Sequence, residues 1–220
     1  SSDLSNMSVD PAFVSEFKSG DTRRSASIID WEAEGITSLA AFGDTYRDQR
    51  EYTGYTIKKY SPLCYADGTS ASKEDGSGDF QLSNHQDYVI MRYADVLLMA
   101  AELGSPKAQE YFDEVRKRAY TSEGTLSANY SQLPVTKENI MQERRLEFAF
   151  ESINYWDLLR QGVDYAASKL ALSEKQVYSG GIVDFITISA DRIRTTKGLS
   201  QIPYNQITLS NGTLVQNAGW

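Results

Sequence analysis

Cysteine and histidine are almost missing from this chain, with one of each, Cys64 and His85, in 220 residues. One thiol cannot close an intramolecular disulfide, and one thiol with one imidazole cannot build a tetrahedral zinc site. The redox compartment is therefore unreadable from cysteine usage. His85 has no nucleophile context: there is no Gly-x-Ser-x-Gly elbow, and Cys64 sits in a tyrosine–proline loop. It reads as an ordinary surface residue of a polar loop. Long apolar runs are lacking too. The longest, Val96 to Ala101, falls far short of the roughly 20 residues needed to cross a bilayer. Positive charge is in the minority: 22 Lys and Arg against 30 Asp and Glu give a net charge of −8. An acidic surface repels phosphate backbones, so no nucleic-acid partner is expected. No cofactor and no metal are expected. The polar opening Ser1-Ser2-Asp3-Leu4 has neither the cationic start nor the apolar stretch of a signal peptide. The chain is accordingly read as mature, processed or a fragment.

What the chain does have is aromatic surface chemistry: 14 tyrosines and 3 tryptophans. Tyr and Trp pair a flat apolar face with a polar tip, which suits interfaces and sugar rings. Most such residues simply fill a core and its edges.

Residues 1–60 carry turn signals and short strand-like pieces. Asp10-Pro11 predicts a helix from Pro11 to Lys18, closed by Gly20. Tyr52 to Tyr60 is rich in β-branched and aromatic residues and predicts a strand. Residues 61–86 read as loop. Its acidic stretch Lys73 to Asp79 invites a calcium reading, but the spacing fits no EF-hand, and a solvated loop is favoured.

From Val96 a helix of strong formers is expected, capped by Gly104 and apolar enough to be buried on more than one face. Ser105-Pro106 starts a second helix reaching Ala119, whose last turn carries Arg116-Lys117-Arg118 in complement to the helix dipole. So short a connection predicts an antiparallel hairpin of the tetratricopeptide kind, although no clean repeat of about 34 residues is present. A loop from Thr121 to Pro134 follows. Thr136 then caps a long helix predicted to reach Arg160 before Gly162. Leu146, Ala149, Ile153 and Trp156 recur at spacings of three and four, which predicts one buried stripe and a core role for Trp156. Glu143, Glu147 and Glu151 stand four apart and read as a ladder paired with the adjacent Arg144 and Arg145, orienting helices rather than doing chemistry. Ile182 to Ile188 predicts a strand. The tail from Gln201 reads as irregular, with Trp220 docking back onto the body.

Four blocks, in order, resemble the SusD/RagB family. They are Arg92-Tyr93-Ala94-Asp95 opening an aliphatic helix that ends Ala101-Glu102; Val115-Arg116-Lys117-Arg118-Ala119; Glu143-Arg144-Arg145-Leu146-Glu147-Phe148-Ala149-Phe150-Glu151 followed by Tyr155-Trp156-Asp157-Leu158; and Ile202-Pro203 with a closing Gln216-Asn217-Ala218-Gly219-Trp220. Gly20-Asp21-Thr22-Arg23 and Lys58-Lys59-Tyr60 are weaker upstream likenesses. Asn154 stands where the family usually has a basic residue, and Trp220 where tyrosine is more usual.

The resemblance implies a mainly α fold with irregular loops and a few short strands: a helical-hairpin, tetratricopeptide-like scaffold plus a loop-rich C-terminal region. It implies that residues 1–220 are the C-terminal portion of a longer protein whose other half is lipidated and carries helical repeats. Cys64, mid-chain without an apolar leader, is not expected to be the lipid anchor. The implied function is non-enzymatic: capture of a glycan, or of a peptide, on the extracellular face of an outer membrane. The implied partner is a SusC-like TonB-dependent transporter. The family's binding residues lie in variable loops, so no motif carries them over. Local chemistry points instead to Trp31, Tyr46 and Tyr52 as stacking planes, with Arg47, Asp48 and Gln49 as hydrogen-bonding neighbours. Tyr55, in the predicted strand, reads as structural. Two rival readings stay open: a glycoside hydrolase with a carboxylate pair, which no motif marks, and a helical-repeat scaffold with no small ligand.

Overall fold

The computed structural model describes residues 8–35, 53–59, 89–179 and 182–220. The chain divides into two units, Ser1–Glu151 and Ser152–Trp220. Among the described residues both are mostly helical, with short antiparallel strand pairs.

The first unit opens with α1 (Pro11–Val14), where the Asp10 carboxylate accepts the Ala12 N–H at 2.9 Å. The predicted span to Lys18 is not reached. After Val14 the backbone tightens into i→i+3 bonds, Glu16 N–H to Phe13 O (3.0 Å) and Phe17 N–H to Val14 O (3.3 Å). This turns Phe17 inward, edge-on to Phe13 at 5.3 Å. Next come α2 (Arg23–Ser27) and β1 (Ile28–Asp30), which pairs antiparallel with β2 (Tyr55–Ile57), Ile28 opposite Ile57 and Asp30 opposite Tyr55. Val9, Val14, Phe17 and Ile28 form a core cluster with Leu146 and Ala149, flanked by Phe13, Tyr55, Ile57 and Phe150.

The predicted helical hairpin is α3 (Tyr93–Glu102) packed on α4 (Ala108–Ala119), with Gly104 at φ +75° making the turn. Burial of α3 differs from expectation. It buries one face, Ala94, Leu97, Leu98 and Ala101, against α4 and α5 (Lys137–Glu147), while Val96 is exposed along with Ile90, Met91, Tyr93 and Leu103. Apolar residues all round a helix show only that more than one face could be buried; how many are depends on its neighbours. The stretch read as loop after Tyr120 begins with a small hairpin, β3 (Thr121–Ser122) and β4 (Thr125–Leu126), across Glu123 and Gly124 at φ +49° and +77°. Two left-handed central residues match the twist of such a turn.

Thr136 caps α5 as expected, its hydroxyl accepting the Asn139 N–H at 3.2 Å. The helix stops at Glu147, not Arg160. Phe150 and Ser152 take left-handed φ of 66° and 62°, and a new helix, α6 (Asn154–Arg160), starts beyond them. That break resets the helical phase. The stripe that begins with Leu146 and Ala149 does not continue to Trp156, which is 65% exposed and therefore no core residue; α6 buries Asp157 and Leu158 instead.

The second unit continues with α7 (Val163–Leu170), the long hairpin β5 (Leu172–Ser179) and β6 (Ile182–Ile188), α8 (Ala190–Thr196) and α9 (Tyr204–Leu209). Helix α7 packs on α6 and α8 through Ala166 and Ala167, both fully buried. Strand β5 is not foreseen from its sequence, because Glu174, Lys175 and Gln176 favour helix and only pairing with β6 extends them. Helix α9 lies in the tail read as irregular. Trp220 returns onto its own unit: its indole N–H donates to Leu199 O at 2.9 Å, with the Arg192 guanidinium 4.1 Å over the ring. Among the described residues no helix is long and apolar enough to cross a membrane.

Candidate functional site

The acidic row on the family-like helix is a filled ion-pair core. Glu143 receives Arg23 Nη1 at 2.7 Å and Arg116 Nη1 at 3.0 Å. Glu147 receives Arg23 at 3.1 Å, together with Arg92 and Arg118. Glu151 receives Arg92 through Nη2 (2.8 Å) and Nε (2.9 Å), and Lys59. Arg23 also grips Asp21 with Nε at 2.9 Å and Nη2 at 2.7 Å. These partners are not the neighbours in sequence that the ladder reading assigns. Arg144 turns to Asp95 at 2.7 Å, and Arg145 to Glu16 at 2.9 Å. The physical reason is direction: on a helix, residues one apart point to different faces, so consecutive Glu and Arg meet other elements.

Burial alone would raise the carboxyl pKa of Glu147. The Arg92 hydrogen bond and the charges of Arg118, Arg92 and Arg23 outweigh burial and hold it below its ordinary range. Burial likewise works against the Arg23 cation, and Asp21, Glu143 and Glu147 reverse that and keep it charged. Side chains of Glu143, Glu147 and Glu151 are 2%, 1% and 6% exposed, and guanidinium and ammonium donors occupy their oxygens. A carboxylate so buried and so fully engaged cannot serve a substrate as acid or base. The row ties α3, α4, α5 and the Asp21–Arg23 segment together.

Open chemistry lies beside this core, in two hollows of the first unit. The larger, about 600 Å³, is lined by Lys18, Gly20, Asp21, Arg24, Asp30 and Glu34 among others. The smaller, about 400 Å³, is lined by Gly20, Asp21, Tyr120, Ser122, Thr125 and Ser127, with Thr22. Local bonds fix these walls. Asp30, at the end of β1, receives Arg24 Nη2 at 2.9 Å and the Ala33 N–H at 3.1 Å, which shapes the turn through Glu34. Thr22 donates both its N–H (2.8 Å) and its hydroxyl (3.0 Å) to Ala119 O, tying the start of α2 to the end of α4.

Of the residues picked out in sequence, Trp31 is described. It is half-buried, follows Asp30, and donates its backbone N–H to Gly54 O at 3.1 Å. Its sequence neighbours Asp30, Ala33 and Glu34 line the larger hollow, while Trp31 itself is not among the lining residues. Tyr46, Arg47, Asp48, Gln49 and Tyr52 lie outside the described residues, as do Cys64, His85 and the acidic loop at 73–79. Tyr55 packs against the core cluster as a strand residue. Arg24, Asp30, Thr125 and Ser127 are new to the candidate site. They come from segments about a hundred residues apart with no shared motif, so no sequence pattern could have joined them. Among the described residues no group of three His, Cys, Asp or Glu side chains is placed to hold a metal ion.

Comparison with known proteins agrees with this architecture. SusD-like protein P38 of Formosa agariphila is 26% identical over 159 residues, 60% of this chain and 31% of that protein. SusD-like protein P2 of the same organism is 37% identical over 83 residues, 33% of this chain and 16% of that protein. Surface glycan-binding protein A from Bacteroides thetaiotaomicron, solved in complex with laminarihexaose, superposes with a TM-score of 0.71 at 28% identity, covering 96% of this chain and 41% of that one. The chain thus spans under a third of these curated relatives and about two fifths of the solved protein. The SusD family model matches residues 8–220, and the chain belongs to the SusD family.

Proposed function

We propose that this chain is part of a cell-surface nutrient-binding protein that captures oligosaccharide without chemical turnover. In this reading it passes its ligand to a SusC-like TonB-dependent transporter and is lipid-anchored on the extracellular face of the outer membrane. The observation that carries the glycan reading is the match of 96% of this chain to a surface glycan-binding protein solved with laminarihexaose. The local chemistry supports it. The larger hollow offers a carboxylate, a guanidinium and hydroxyls for sugar hydroxyls, and Trp31, next in sequence to the lining residue Asp30, is proposed as a stacking plane. Tyr46 and Tyr52, with Arg47, Asp48 and Gln49, are proposed to extend that platform. The absence of turnover is supported by the engaged state of the acidic row.

A protein partner is supported separately by apolar residues exposed on and beside α3: Tyr93 and Val96 within the helix, Ile90 and Met91 before it and Leu103 after it. The test is affinity electrophoresis of the chain through gels containing laminarin, xylan or mannan, alongside Trp31→Ala and Tyr46→Ala. Retardation on one polysaccharide, weakened in the variants while folding is intact, is the expected result. Free migration on all three, with capture by immobilised peptides, would replace the glycan with a peptide ligand.

A further inference from the structure

From Leu199 to Trp220 there is no Asp, Glu, Lys, Arg or His, in a chain that is 24% charged. This uncharged tail closes on itself. Gln216 accepts the Ile202 N–H at 2.8 Å and donates to Ile202 O at 2.9 Å, and Asn217 donates to Ser200 O at 2.7 Å. Within the closed loop, just past α9, stands Asn211-Gly212, the chain's single Asn-Gly pair. Both residues are exposed and left-handed, at φ +50° and +82°. Ser210 frames the turn: its carbonyl accepts the Thr213 N–H at 3.1 Å, and its hydroxyl accepts the Leu214 N–H at 2.9 Å. Among the described residues neither the Asn211 side-chain amide nor the Gly212 N–H has a hydrogen-bond partner. The space where a Gly212 side chain would stand is open.

These features favour an attack of the chain on itself. The Gly212 nitrogen and Asn211 Cγ are tethered so that their bond closes a five-membered ring, which gives the pair a high effective concentration. Glycine leaves the nitrogen unshielded and lets the turn rotate toward the reacting geometry. The other described asparagines lack this combination. The amides of Asn129, Asn139 and Asn217 are engaged by Ser19 Oγ, Pro134 O and Ser200 O. Asn154 and Asn205 stand in α6 and α9, where the helix holds the backbone, and each is followed by a larger residue.

We propose that Asn211 is a self-modification site, an amide that converts without an enzyme to aspartate and isoaspartate. The Gly212 nitrogen gives its proton to solvent base and bonds to Asn211 Cγ. The Cγ–Nδ2 bond breaks, and the amide nitrogen takes a proton from solvent and leaves as ammonia. Water then opens the succinimide. Cleavage between Cγ and the Gly212 nitrogen yields aspartate. Cleavage between the Asn211 carbonyl carbon and that nitrogen yields isoaspartate, with the main chain rerouted through Cβ. Either product adds one negative charge beside the C-terminal end of α9, where the helix dipole disfavours it. It also places that charge on a surface that exposes Tyr204, Leu209 and Val215. Isoaspartate further lengthens the main-chain path between Ser210 and Thr213, whose bonds frame the turn. The tail thus carries a slow, one-way change from an uncharged to a charged surface.

The test is prolonged warm incubation of the 220-residue chain at neutral pH, beside the same chain unfolded in urea. Ion exchange and intact mass follow the products, and peptide mapping locates them. A species with one added negative charge and one amide exchanged for an acid should accumulate, mapping to Asn211. Part of it should be labelled by an isoaspartyl methyltransferase. Asn211→Gln, whose longer side chain would have to close a six-membered ring, should lose this species while melting as the natural chain does. Exchange that maps to any other asparagine first, or an Asn211→Gln variant that ages as fast, overturns the proposal. So does strong protection of Asn211 in the folded chain relative to the unfolded one, since the left-handed turn would then lock the amide away from its nitrogen.

Discussion

Glu147 is the residue on which the first unit's electrostatics converge, since Arg23, Arg92 and Arg118 all reach its carboxylate from different segments. Removing one member of a buried pair leaves the others charged and unmatched, which costs roughly 3–5 kcal/mol. Glu147→Gln should therefore lower unfolding stability by about that amount at pH 7, read from urea titrations. The pH dependence has a definite sign. Because the folded carboxyl titrates below its unfolded value, its contribution is fully present above the ordinary glutamate value of about 4.5. It is lost as pH falls through the lower folded value. The natural chain should lose stability on acidification through that window, and Glu147→Gln should show a shallower decline. Parallel curves for the two proteins would remove Glu147 from the account. The Glu row was legible in sequence as structural, but its partners were not, because Arg23, Arg92 and Arg116 are brought to it by folding.

Single elements follow their start signals more faithfully than their stop signals or their interiors: the helices from Pro11 and Lys137 end at Val14 and Glu147, well before Gly20 and Gly162. Thr136 reads as a cap and acts as one, and Asp10, read with Pro11 as a helix start, supplies the cap there. Thr136→Ala should cost about 1 kcal/mol of stability, measurable by thermal melting, while a negligible change would show that tertiary contacts hold the first turn unaided. Interior periodicity misleads where the chain breaks phase. Leu146 and Ala149 were correctly placed in the core, yet the same spacing carried to Trp156 failed because Phe150 and Ser152 adopt left-handed conformations. The consequence is optical. Trp156 is the most exposed of the two tryptophans in the second unit, so Trp156→Phe should remove most of the fluorescence readily quenched by acrylamide. Retention of that quenchable fraction in the variant would return Trp156 to the interior. The β5–β6 hairpin makes the same point for strands: its polar half has no strand preference of its own and is extended by its partner.

For the whole molecule, charge sets what can approach. With a net charge of −8, long-range repulsion should keep anionic polysaccharides away. In affinity gels at low salt, neutral polysaccharide should retard the chain and alginate or carrageenan should not. Stronger retardation by the anionic gels would mean that a local cationic patch outweighs the global field. The candidate site is likewise a property of the whole first unit. Trp31 was picked out in sequence, and its neighbours Asp30, Ala33 and Glu34 line the larger hollow. The larger hollow is built within residues 17–34, whereas the smaller one joins residues 20–22 to residues 120–127, next to the tether from Thr22 to Ala119.

The sequence by itself determined the family, the helical hairpin around Gly104, the helix start at Asp10-Pro11, the cap at Thr136, the acidic character and the structural role of the glutamate row. These rest on local rules: end-capping, turn glycines and the order of motif blocks along the chain. Only the tertiary structure decided which cations meet which carboxylates, which face of α3 stays open, where the long helix breaks and where the hollows lie. Those outcomes depend on long-range pairing, in which each residue's surroundings come from segments far away in sequence. A one-dimensional pattern carries no record of such encounters.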